Sequence, residues 1–254
     1  MIRRLSPLFA AALVLAAVTL SPPALAQTDI TTASDSVAAG PAADTSLSAD
    51  QLSVTRLYET GNRLLNARRY AEAERSFLDA LKLAPRISAI RHGLGLVYIQ
   101  TEDYELAVLH LEEALRLEPN QIKSLYALAR AYGETGETEK SKRAYERLIQ
   151  LDPRFEKAYQ DLAGTYYREK NWEKALELLE KARALNPGSH RTMSLIGVTG
   201  IRAGRMDIAL DTVTELRRIG HPDEARRLEY LVYTSKENPE KTGAASAPSR
   251  PAAS

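Results

Sequence analysis

Five prolines in the middle of this 254-residue chain are set at an almost constant spacing. Pro85, Pro119, Pro153 and Pro187 follow one another at intervals of 34 residues, and Pro222 comes 35 after the last. The other prolines, seven of twelve, lie towards the two ends. Proline lacks an amide hydrogen and clashes with the preceding turn, so each of the five closes a segment of regular structure. A fixed period of this length predicts an array of like units, none able to bury its apolar face alone. Units then begin at Val54, Ser88, Ile122, Glu156 and His190, and run 54–87, 88–121, 122–155, 156–189 and 190–222.

Stacking the units aligns their other special positions. The seventh and eighth places read Thr60-Gly61, Leu94-Gly95, Leu128-Ala129, Leu162-Ala163 and Ile196-Gly197. The eleventh holds Leu64, Tyr98, Tyr132, Tyr166 and Gly200, and the twentieth Ala73, Ala107, Ser141, Ala175 and Ala209. The twenty-fourth holds Phe77, Leu111, Tyr145, Leu179 and Val213, and the twenty-seventh Ala80, Ala114, Leu148, Ala182 and Leu216. Each unit reads as two amphipathic helices. Leu94, Tyr98 and Thr101 fall at helical spacing in the first helix of unit two, as Ala107, Leu111 and Ala114 do in the second. The small eighth and twentieth residues let two helices approach closely, and the large eleventh and twenty-fourth fill the space between successive pairs. Asp103, Gly136, Asn171 and Gly204 fall where the chain turns between helices.

This register of small, aromatic and proline positions resembles the tetratricopeptide repeat family. The resemblance spans about 54–222 and implies an all-α fold, a right-handed superhelical solenoid of helix–turn–helix repeats over 48–222. The family's tryptophan near the fourth place is Leu57, Arg91, Leu125, Tyr159 and Met193 here. Unit five departs most, with Gly200 in the aromatic place and one added residue before Pro222, so looser packing is expected there. Residues 223–234 fit a C-terminal capping helix, with Ala225, Leu228, Leu231 and Val232 on one face; a solenoid end needs such a cover. At the front, Ser48 and Gln51 have capping-box spacing.

The two ends read differently. Residues 1–26 have the form of a secretory signal peptide: Arg3 and Arg4, an apolar run over 8–20, Pro22-Pro23, and Ala24-Leu25-Ala26 as the cleavage site. The run is too short to span a bilayer, so no transmembrane segment is expected in the mature chain. Export to a bacterial periplasm is the expected location, with secretion as the other outcome. Residues 27–47 and 235–254 carry few large apolar side chains and read as a flexible linker and a disordered tail.

Chemistry is sparse. With 34 Lys plus Arg against 33 Asp plus Glu, the chain lacks the basic excess of a nucleic-acid binder. Absence of cysteine excludes thiolate metal sites and cysteine nucleophiles. His92, His110, His190 and His221 form no close pair in sequence and no His-Glu-x-x-His spacing, so neither a metal nor a cofactor is expected. His92 and His110 read as solvent-facing. No catalytic motif occurs, and an enzyme is not expected.

What remains is a surface. The family resemblance implies that the first helices line a concave groove, and carrying this over by phase selects its residues. Unit one contributes Tyr58, Asn62 and Asn66; unit two His92, Leu96 and Gln100; unit three Tyr126, Arg130 and Glu134. Unit four contributes Gln160, Tyr167 and Arg168, and unit five Ser194 and Arg202. Tyrosine offers contact area at low entropic cost, and arginine a planar fork for carboxylates. Arg130, Arg168 and Arg202 read as a basic stripe, edged by Lys123, Lys157 and Arg191, suited to an acidic partner. Asn62 and Arg130 match the two-carboxylate clamp of chaperone-binding members by phase, but Tyr58, Leu96 and Tyr126 fill its other places, so that clamp is not expected. The expected function is a non-enzymatic adaptor or scaffold for an envelope protein or peptide. The alternatives are glycan binding or catalysis through Tyr126 and Tyr167, and self-association of the solenoid.

Overall fold

The structure, a computed structural model, describes residues 48–237, and all its regular elements are helices. Residues 1–26 and 27–47, read above as a signal peptide and a linker, and residues from 238 onward lie outside the described residues. Unit one comprises α1 (Ala49–Asn66) and α2 (Tyr70–Leu83); unit two α3 (Ser88–Gln100) and α4 (Tyr104–Leu117); unit three α5 (Ile122–Glu134) and α6 (Thr138–Leu151). Unit four comprises α7 (Glu156–Arg168) and α8 (Trp172–Leu185), unit five α9 (His190–Arg202) and α10 (Met206–Arg218), and α11 (Pro222–Glu237) closes the stack. Each helix packs on the next in the chain, and α1 touches α3, α3 touches α5 and α5 touches α7. That is the all-α solenoid the period predicts. None of the described helices is long and apolar enough to cross a membrane.

The hairpin turns obey one backbone rule. The fifteenth residue of every unit is left-handed: Arg68, Glu102, Gly136, Lys170 and Gly204 have φ of 58°, 66°, 80°, 61° and 73°. The amide of the sixteenth residue then returns to the carbonyl of the eleventh, as in Asp103 to Tyr98 (2.9 Å) and Glu137 to Tyr132 (2.8 Å). Asp103 and Asn171 therefore sit one place beyond the left-handed residue, at the N-cap positions of α4 and α8, where Asn171 Oδ1 accepts from the Lys174 amide at 3.2 Å and Asp103 instead accepts from the Thr101 hydroxyl. The residue before each of the first four prolines is extended, with φ near −140° and ψ near 80° (Ala84, Glu118, Asp152, Asn186), because the proline ring bars the helical conformation there.

Pro222 differs. It is the first residue of α11, a place where the missing amide costs nothing. Gly220, at φ 88°, is what ends α10. The final helix also continues to Glu237, three residues past the expected boundary: Ser235 is buried and its hydroxyl donates to the Leu231 carbonyl at 2.6 Å. Ala225, Leu228 and Val232 are buried, whereas Leu231 is exposed.

Packing follows the small positions. A Cβ on Gly95 would meet Leu111 Cγ at 2.5 Å, and one on Gly61 or Gly93 would meet the Phe77 ring at 2.7 Å. In unit five the space over Gly197 is taken by Leu228 of α11. Gly200 leaves no void, contrary to the looser packing expected: a Cβ there would lie 3.1 Å from the Arg205 carbonyl and 3.3 Å from Ile208. The core nevertheless divides here. One cluster runs from Val54 to Ile196, and a second joins Met193, Ile201, Val213 and Leu216 to Leu228 and Val232.

Candidate functional site

The third place of each of units two to five, facing the previous unit, is wholly buried: Ile90, Ser124, Ala158 and Thr192. Side chains at the fifth place reach across to it. His92 Nδ1 lies 3.0 Å from Ser124 Oγ, and Gln160 Nε2 donates to Thr192 Oγ1 at 2.7 Å and to Glu156 Oε1 at 2.6 Å. Gln160 is thus an inter-unit strut, buried, and not a free groove residue. His92 is half-buried and not solvent-facing; burial, reinforced by Lys123, pushes its imidazole down to about 4. His110 is half-buried as well, stacked on Tyr98 at 5.4 Å with its Nδ1 enclosed and unpartnered. Ser124 and His92 have the spacing of a nucleophile and base, but Ser124 has no exposed surface for a substrate to reach.

Arg130, Glu134, Gln160 and Arg168 come together around a depression of about 210 Å³, between α5, α6, α7 and α9. Asp161, Tyr145 and Ser141 complete it, with Arg191 and Leu195 at its α9 side. Two glycines are among its lining residues. The Arg168 guanidinium lies 3.6 Å from where a Gly133 Cβ would stand, and Gly164 faces open space. Tyr126 donates to Asp161 Oδ2 at 2.8 Å, and the Arg130 guanidinium lies 5.9 Å from the Tyr126 ring centroid. Burial first, then the Asp161 carboxylate, raises the Tyr126 phenol to about 12; Tyr145 is pushed up for the same two reasons. Both hydroxyls therefore remain protonated. Arg116, Arg205, Arg217 and Arg218 are engaged by carboxylates. Arg130, Arg168 and Arg191 form no ion pair among the described residues. Three guanidinium groups without ion-pair partners around a concavity, Arg168 also donating to Thr165 Oγ1 at 3.5 Å, can hold carboxylates bidentately.

Other predicted residues fall elsewhere. Tyr58 is half-buried against Phe77 (6.0 Å). Asn62 and Leu96 are half-buried, Asn66 and Gln100 exposed, all outside the depression. Ser194 is half-buried next to the lining residue Leu195. Arg202 is not the third member of the stripe, because its Nε donates to Tyr167 Oη at 3.2 Å. Tyr167 in turn meets Trp172 edge-on at 4.9 Å, and Tyr126 packs on Phe155 at 5.2 Å. The two tyrosines that a sugar would stack on are thus occupied by protein. Asp161 was missed in sequence, although it stands 35 residues after Tyr126, one more than the period.

Family models for the tetratricopeptide repeat match residues 58–122, 98–164 and 134–195, together more than half of the chain. Among solved structures the chain is similar to MamA from Desulfovibrio magneticus RS-1, with a TM-score of 0.62 at 19% identity over 66% of this chain and 94% of that one. A further crystal structure of MamA gives 0.58 at 22% identity, over 68% and 96%. YrrB, a TPR protein with an unusual peptide-binding site, gives 0.59 at 19% identity, over 74% and 98%. At these identities the likeness is one of fold. No curated protein matches the chain.

Proposed function

The chain belongs to the tetratricopeptide repeat family, and from that premise we propose that it is a non-enzymatic adaptor of the bacterial cell envelope that holds an acidic segment of a partner protein on the first-helix face of units three to five. The observation that carries this reading is the depression in which Arg130, Arg168 and Arg191 converge without carboxylate partners. Each guanidinium offers two parallel donors to a carboxylate. The contacts between successive first helices support placing this face on the inner side of the stack. The peptide-binding site of YrrB, on the same fold, supports a peptide as the ligand class. The leader-like residues 1–26 support export.

Two experiments test the parts separately. Binding of a glutamate- and aspartate-rich peptide library is measured against a library in which every acid is replaced by its amide. The acidic library is expected to be retained by the wild type and lost with Arg130→Glu/Arg168→Glu. Equal retention of both libraries, or an unaffected double variant, refutes the basic site. For the location, alkaline phosphatase fused after residue 47 is expected to be active in intact cells, and an inactive fusion refutes export.

A further inference from the structure

His190 is the first residue of α9, His221 immediately precedes α11, and Glu224 lies in the first turn of α11. The histidines are 31 residues apart, yet their rings stack at 4.2 Å with 16° between planes. The sequence spacing, from which no metal site is expected, does not show this pairing. The Glu224 carboxylate faces both, one oxygen 3.9 Å from His190 Nδ1 and the other 3.6 Å from His221 Nδ1. These distances are too long for hydrogen bonds. The three side chains make no side-chain hydrogen bond among the described residues, and each is a third to a half exposed.

We propose that this junction binds one divalent transition-metal cation of the zinc, nickel or copper type, with His190, His221 and Glu224 as ligands. The donor set is two imidazole nitrogens and one carboxylate oxygen. It suits borderline metals; calcium and magnesium demand an oxygen shell that is not present here. One ligand atom from each residue already lies within 4.8 Å of the other two. A tetrahedral ion with bonds of about 2.0–2.2 Å requires them about 3.3–3.5 Å apart, which the partly exposed side chains reach by turning the two imidazoles out of their stack so that both nitrogens point at the ion. Glu224 also brings the negative charge that offsets the positive ends of α9 and α11. Three protein ligands leave the fourth position to water. The cation would join the start of the last repeat to the start of the closing helix, so binding strengthens the C-terminal end of the solenoid.

The test uses the full chain without a histidine tag, titrated with zinc chloride by calorimetry and followed by thermal melting. One zinc per chain is expected. At about ten times the dissociation constant it raises the melting temperature by about 3–6 °C, whereas magnesium and calcium chloride leave it unchanged. His190→Ala, His221→Ala and Glu224→Gln each weaken zinc binding by at least about tenfold, and His190→Ala/His221→Ala abolishes the thermal shift. Circular dichroism of the variants without metal is expected to match the wild type, as their side chains are not core. No saturable zinc binding, unchanged binding in the double variant, or an equal response to magnesium overturns the proposal.

Discussion

A single methyl group separates Gly95 from a steric conflict. Its Cβ would lie 2.5 Å from Leu111 Cγ, and Leu111 is fully buried with nowhere to retreat. Gly95→Ala is therefore expected to cost about 1–3 kcal/mol. Gly164 stands in an equally helical but open place, so Gly164→Ala is expected to gain about 0.5–1 kcal/mol from the lost backbone freedom of glycine. Urea denaturation of the two variants checks the pair; shifts of the same sign would contradict the packing. His92 gives a pH dependence. Its folded value, about 4, lies below the ordinary imidazole value, so the unfolded chain takes up the proton first as the solution is acidified. The contribution is whole above about pH 6.5 and is lost progressively towards pH 4, on the order of 1–3 kcal/mol for a half-buried ring. His110, lowered by burial and by Arg91, acts in the same direction. His92→Gln is expected to flatten the fall in melting temperature between pH 7 and 4.5, and a profile parallel to the wild type would show that the ring is not responsible. Side-chain identity at the site was legible only in part. Sequence phase set Arg130 and Arg168 on one face, and the structure brings both to the same depression, but phase could not tell an unpaired side chain from a strut. Gln160 and Arg202 share the stripe's phase and are taken up by Thr192 and Tyr167.

At the level of the element, the left-handed turn residue decides how each hairpin closes, and the sequence obscures it. Gly136 and Gly204 advertise the position, while Arg68, Glu102 and Lys170 fill it in the other units at a steric cost of about 1–2 kcal/mol each. Lys170→Gly relieves that strain, less the entropy that glycine adds to the unfolded chain, for a net gain of up to about 1 kcal/mol. Gly136→Ala is expected to lose about 1 kcal/mol. Thermal melting of both variants measures the pair, and a destabilised Lys170→Gly would contradict the turn geometry. The helices themselves were legible because period and polarity agree at every unit. The last boundary was not, because the added residue changes what the proline does. Gly220 ends α10 and Pro222 starts α11, whereas the earlier prolines follow an extended residue. Contacts between units were hidden for a simpler reason. Those around the site run at 32 residues, as in His92 to Ser124, or at 35, as in Tyr126 to Asp161 and Tyr167 to Arg202, so aligning like with like does not set the partners side by side.

Across the whole array, stability is a sum of units and of the surfaces between neighbours, so damage at one end is expected to stay near that end. The division of the core makes this specific. Unit five shares its second cluster with α11, and Leu228 occupies the space above Gly197. A chain ending at Gly220 loses the burial of Leu228 and Val232, about 3–6 kcal/mol together, and uncovers Met193 and Val213. That loss falls on unit five, which packs α9 and α10 against α11, while units two and three keep every neighbour they have in the intact chain. Hydrogen exchange on the truncated chain is therefore expected to show α9 and α10 exchanging freely, with α3 to α6 protected as before. Arg191 and Leu195 of α9 line the basic depression, so retention of the acidic peptides falls in the same protein although Arg130 and Arg168 are untouched. Protection lost evenly from α1 to α10 would mean that the helices fold as one cooperative body, and protection retained in α9 would mean that α11 is not the cover that unit five requires.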